Sequence, residues 1–80
     1  MTNLDITAAT RRCATELDGL GLSDWAGRLR DAIDSASTGG ELVMGVRHQL
    51  RSLRASGQAL PADLGALIEE IIVKIDGTGW

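Results

Sequence analysis

Apolar residues recur at intervals of three and four in four successive stretches of this 80-residue chain, and each stretch closes at a turn signal. Ile6, Ala9, Cys13, Leu17 and Leu20 form the first stripe, and Trp25, Leu29, Ala32, Ile33 and Ala36 the second. Leu42, Val46, Leu50 and Leu53 form the third, and Leu64, Leu67, Ile68, Ile71, Ile72 and Ile75 the fourth. A helix has 3.6 residues per turn, so this spacing gathers each set on one face. The pattern predicts helices at about 4–18, 24–36, 39–55 and 61–76. Connections of three to five residues make consecutive helices antiparallel neighbours. The expected fold is all-α: a single domain over 1–80, a compact four-helix bundle with short loops, most simply up-down-up-down. Two helical hairpins packed across each other are the alternative.

Local signals place the helix ends. Thr2 or Asn3 suits the first N-cap, with Asp5 in the first turn beside the positive helix end. Gly19 or Gly21 ends that helix, because glycine tolerates the left-handed conformation. Ser23 is the expected N-cap of the second helix. Thr38-Gly39-Gly40-Glu41 matches a capping box, in which Thr38 takes the Glu41 amide and Glu41 reaches back. Gly57 stops the third helix. Pro61 suits the first turn of the fourth, where its missing amide hydrogen has no partner to lose.

Composition narrows the function classes. With no Phe and no Tyr, the core must be aliphatic. A net charge of −3 gives no overall attraction to nucleic acid or to an anionic membrane. No apolar run approaches the ~20 residues of a membrane span. Met1-Thr2-Asn3-Leu4-Asp5 lacks the basic-then-apolar pattern of a signal peptide. One cysteine cannot close an intrachain disulfide, and no Cys/His set has zinc spacing. A cytoplasmic protein without metal or cofactor is expected.

The third helix carries the most informative surface. On a helical wheel Arg47, Arg51 and Arg54 form a basic stripe beside the apolar face, with Met44 next to Arg51 and His48 at the edge. Arginine makes bidentate bonds to carboxylates and methionine adapts its shape, so this is the expected partner-binding patch. The plainer reading is a solvated face whose arginines pair with Glu69 or Glu70. The fourth helix has a weaker apolar strip opposite its core face, Ala62, Ala66 and Val73, suited to a homodimer contact. Trp25 is expected to cover one end of the core. Trp80, the last residue, is less constrained.

Catalysis finds little support. Cys13 lies in an apolar stripe and reads as a small buried hydrophobe, while His48, the only histidine, sits on a polar face. Three aspartates on the second helix, Asp24, Asp31 and Asp34, point outwards and do not wrap a calcium ion. The third helix begins Glu41-Leu42-Val43-Met44 and carries its arginines later, the wrong end for reading bases.

Two segments carry a resemblance. Trp25-Ala26-Gly27-Arg28-Leu29-Arg30 and Ser37-Thr38-Gly39-Gly40-Glu41-Leu42-Val43-Met44-Gly45-Val46-Arg47 resemble a group of small uncharacterised bacterial helical proteins. That resemblance implies a non-enzymatic interaction protein of the immunity or antidote kind, acting on another protein. Asp34-Ser35 ahead of Glu41-Leu42-Val43-Met44 is similar to acyl carrier proteins, which implies phosphopantetheine on Ser35. The chain departs from the carrier pattern at Ala36, where those proteins favour Leu, and in having a basic helix after the serine. The leading expectation is protein binding through Met44, Arg47, His48, Arg51 and Arg54. A carrier using Ser35 and a self-assembling subunit are the alternatives.

Overall fold

A computed structural model of the chain describes residues 5–77. Four helices follow one another: α1 (Ile6–Gly19), α2 (Ser23–Asp34), α3 (Gly39–Ala55) and α4 (Ala62–Gly77). No strand occurs among the described residues. Helix α1 packs on α2 and α4, and α3 packs on the same two, which is the neighbour pattern of a four-helix bundle. The body measures 30 × 29 × 21 Å. It is squat because the longest helix has 17 residues, a rise of about 25 Å.

The helix ends show which local signals won. Asp5 itself caps α1, accepting the Ala8 amide at 3.2 Å, so it is not a first-turn residue. The expected caps Thr2 and Asn3 lie outside the described residues. At the other end the Leu22 amide donates to the Leu17 carbonyl and the Gly21 amide to Asp18. This is a Schellman motif, and it needs the left-handed φ of 78° that Gly21 supplies. It also draws Leu22 down onto the core and makes it the N-cap of α2. Ser23, expected in that place, is already the first helical residue, and α2 starts without a side-chain cap. At the start of α3, Thr38 accepts the Glu41 amide as the capping box requires. The return arm differs: Glu41 accepts from the Ser37 amide, one residue beyond the cap. Pro61 stands just ahead of α4, where its carbonyl accepts from Gly65.

The core is asymmetric in side-chain size. Helix α4 contributes Leu64, Ile68, Ile71, Ile72 and Ile75, all buried. Helix α1 contributes mostly small residues, Ala9, Thr10, Cys13 and Ala14, with Leu17 as its one large member. Large aliphatics of one helix filling the space left by small residues of another is how close packing is reached without aromatics. Trp25 packs partly buried against this core, as expected of it. Its exposed side carries Arg28, whose guanidinium lies 4.6 Å from the ring centroid. Leu20 corrects the reading of the first stripe. It falls past the end of α1, at the C-cap, and is 45% exposed.

Thr10 is the one buried polar residue of the core, and its hydroxyl has no hydrogen-bond partner among the described residues. Such a hydroxyl loses its water without compensation, at about 1–3 kcal/mol. Valine has the same branched shape and no polar atom. Thr10→Val is therefore expected to stabilise the fold by about 1 kcal/mol or more, raising the thermal midpoint by roughly 4–8 °C per kcal/mol at this chain length. Thermal denaturation followed by circular dichroism measures it. An unchanged or lower midpoint shows that the hydroxyl is satisfied.

Candidate functional site

Helix α3 turns Val43, Val46, Leu50 and Leu53 into the core. The opposite side of the same helix therefore faces out, and it carries Met44, His48, Arg51 and Ala55, all exposed. Met44 is 51% exposed, one of few large apolar side chains so placed. These four residues, with Arg47 and Ser52, line an open hollow of about 380 Å³. A second shallow hollow, bordered by Arg51, Arg54, Ala55 and Ile72, lies where α3 meets α4. Arg51 and Ala55 border both.

The arginines divide into two kinds. Arg47 Nε lies 2.9 Å from Asp76 Oδ1. Its N–H is not aimed at that oxygen, so Nε is left without a hydrogen bond and the contact is one of charge. Arg51 Nη2 donates to Asp76 Oδ2 at 3.2 Å. Arg54 Nη1 stands 2.6 Å from Glu69 Oε2. The acidic partners are thus Asp76 and Glu69, whereas Glu70, the other expected partner, forms no such bridge among the described residues. Asp76 sits in the last turn of α4, where the negative end of the helix opposes a carboxylate. Two arginines from α3 offset that opposition. Exposed pairs of this sort contribute less than about 1 kcal/mol each, but together they fasten α3 to α4 along their length.

Part of the expected basic patch is therefore already engaged within the fold. Arg47 and Arg54 flank the outer face and tie it to α4. Met44, His48 and Arg51 stand on the face itself, and Arg51, held through a single nitrogen, has donors to spare. Ala55 belongs with them, a residue too small to be singled out by its side-chain chemistry.

The other candidates fall elsewhere. Cys13 is fully buried in α1. Burial pushes its thiol up from an ordinary 9.0 to about 12, with Glu16 adding to the rise and Arg12 opposing it. A thiol of that kind is protonated and shielded, and the fold does not bring it to the exposed His48. Ser35 is exposed at the C-cap of α2, where its hydroxyl donates to the Asp31 carbonyl at 2.5 Å. Residues 36–38 separate it from α3. A phosphodiester there would meet the negative end of α2, not the positive start of α3. The strip Ala62, Ala66 and Val73 is exposed on α4 as expected, with Val73 58% exposed. Trp80 lies outside the described residues. Among the described residues no group of His, Cys, Asp and Glu is arranged to hold a metal ion, and no helix is long and apolar enough to cross a membrane.

Comparison of the chain with protein-family models, with curated proteins and with solved structures finds no match.

Proposed function

We propose that this chain is a small non-enzymatic protein-binding module, of the immunity or inhibitor kind, whose docking surface is the outer face of α3 centred on Met44. One observation carries this reading. Within the Ser37–Arg47 segment, the large and polar residues have structural tasks with a single exception. Ser37, Thr38 and Glu41 build the helix start. Leu42, Val43 and Val46 pack in or against the core. Gly45 lets α3 approach Ala32 of α2. Arg47 reaches Asp76. Met44 has no such task and stands half exposed beside a hollow. An exposed, adaptable apolar side chain next to a guanidinium with unused donors suits a partner that presents an apolar side chain and a carboxylate. The immunity or inhibitor role rests on the resemblance of the Trp25–Arg30 and Ser37–Arg47 segments.

The test uses Met44→Asp. Reversing charge at Arg47 and Arg51 would be a poorer test, because it also unfastens α4. Met44→Asp changes only an exposed position, so helical circular dichroism and the unfolding midpoint should stay within about 0.5 kcal/mol of the parent. Capture of a partner from a lysate of the source cells, followed by titration of that partner, should weaken at least tenfold, as for a central contact residue. A partner that binds the variant as tightly as the parent removes the α3 face from consideration.

A further inference from the structure

We infer that the hollow between the α1–α2 turn and the α3–α4 loop is a binding site for a small zwitterion, a molecule that carries an ammonium and a carboxylate a few bonds apart, as a free amino acid does. The observation is a pair of opposite charges that the fold leaves close together and unjoined. Every other arginine of the chain lies within bridging distance of a carboxylate. Arg28 has no such partner among the described residues, and its guanidinium lies over the Trp25 ring, 4.6 Å from the centroid. Asp24, four residues ahead of Arg28, is the carboxylate that helical spacing offers it. The two nevertheless form no ion pair. Asp24 tolerates this because it sits in the first turn of α2, where the positive helix end suits a carboxylate.

The walls of the hollow are set by the two turns. Gly21 and Gly57 take left-handed φ of 78° and 74°, which end α1 and α3. The first turn leads into Ser23 and Asp24. The second carries Gln58, whose backbone amide donates to the Ser56 hydroxyl at 3.3 Å. Gln58 thereby joins Ser23, Asp24, Trp25 and Arg28 around a space of about 340 Å³, within the range of small-ligand sites. Trp25 packs against the core, so its ring is a fixed platform for Arg28. A guanidinium held through its charge over a ring keeps its N–H donors, and these match the two oxygens of a carboxylate. Asp24 and Arg28 are the only charged residues bordering the hollow. An anion alone gains Arg28 but is repelled by Asp24, and a cation alone meets the reverse. A ligand with both charges satisfies both residues at once, which selects a zwitterion over a simple ion. The Ser23 hydroxyl and the Gln58 carboxamide each donate and accept, so they suit a polar substituent on that ligand. Both charged residues are exposed, where ion pairs are weak, so the affinity is on the order of 1 mM.

Titration with L-glutamine, followed by amide NMR shifts, tests this. Saturable shifts should appear at residues 23–28 and at Gln58. N-acetyl-L-glutamine lacks the ammonium and L-glutaminamide lacks the carboxylate. Each should bind about fivefold more weakly, the loss of one exposed ion pair. Asp24→Asn should erase the preference for glutamine over its N-acetyl form, and Arg28→Gln the preference over the amide. Helical circular dichroism should be unchanged in both variants. Met44 does not border the hollow, so Met44→Asp should bind glutamine like the parent. No saturable shift by about 20 mM, well above a millimolar Kd, overturns the inference. Equal binding of the N-acetyl form reduces the hollow to an anion site, equal binding of the amide reduces it to a cation site, and either result overturns it too. So do shifts that persist unchanged in both variants, which place the ligand elsewhere.

Discussion

Replacing Leu50 by alanine should lower the stability of this fold by about 2–5 kcal/mol, while the same change at Leu20 should cost about 0.5 kcal/mol or less. Leu50 is fully buried at the centre of α3, and Leu20 is 45% exposed at the C-cap of α1. The removed atoms are identical, so the difference reads burial alone. The cost at Leu50 has two parts: lost transfer of the isobutyl group out of water, and a cavity that the surrounding helices fill incompletely. A chain of this length has about 4–12 kcal/mol of total stability, so Leu50→Ala consumes a large share of it. Urea titration followed at a helical circular dichroism band should show the midpoint falling sharply with the slope unchanged. Equal effects at the two leucines would mean that the helices do not pack as described.

The second large effect is an alkaline weakness traced to Cys13. Its thiol, fully buried, is pushed up to about 12 by loss of hydration, with Glu16 adding to the shift. In the unfolded chain the same thiol ionises at its ordinary value of 9.0. Below pH 9 both states hold the proton and the group costs nothing. Between pH 9 and 12 the unfolded chain releases its proton and the folded chain keeps it. Stability therefore falls as pH rises through that window, at about 1.4 kcal/mol per pH unit. From pH 8 to pH 10 the parent should lose about 1.4 kcal/mol more than a Cys13→Ala variant, which starts lower but lacks the slope. The same burial predicts that a thiol reagent at pH 8 labels the native protein only as fast as the fold opens. Equal alkaline losses in parent and variant would place the thiol in contact with water.

Much of the fold was legible because helical periodicity and capping are short-range. The third helix, Gly39–Ala55, was readable from its capping box, its stripe and Gly57, whose φ of 74° is the left-handed stop. Errors arose where one local signal displaced another. Ser23 is a better cap than Leu22 by side-chain chemistry, yet the Schellman turn at Gly21 already commits Leu22 to that place. Leu20 keeps the apolar period of α1, but the helix has ended by then, so the period no longer says where the side chain points. The candidate face was less legible than the fold. That α3 would expose Met44 and Arg51 follows from the wheel. That Asp76 would hold both Arg47 and Arg51 does not, since it depends on how far α4 slides along α3, a tertiary quantity with no local signature. Ala55, unlike Ala62 and Ala66 on α4, which the wheel already sets on an outer strip, shows its place only when the neighbouring side chains are seen standing around it.

Gly45 and Ala32 bring one more consequence. A methyl group on Gly45 would sit 3.4 Å from the Ala32 methyl, so the two backbones are separated by little more than one small side chain. Moving α3 by one turn against α2 would bring Glu41 or Gln49 to that narrow point in place of glycine. Moving α2 instead would bring Arg28 or Ala36 there. Three of those four carry a long side chain to a point where a single methyl group would already touch Ala32. The pair thus disfavours three of the four one-turn slips of α3 against α2, and with them the sets of outward-looking α3 residues that those slips would produce.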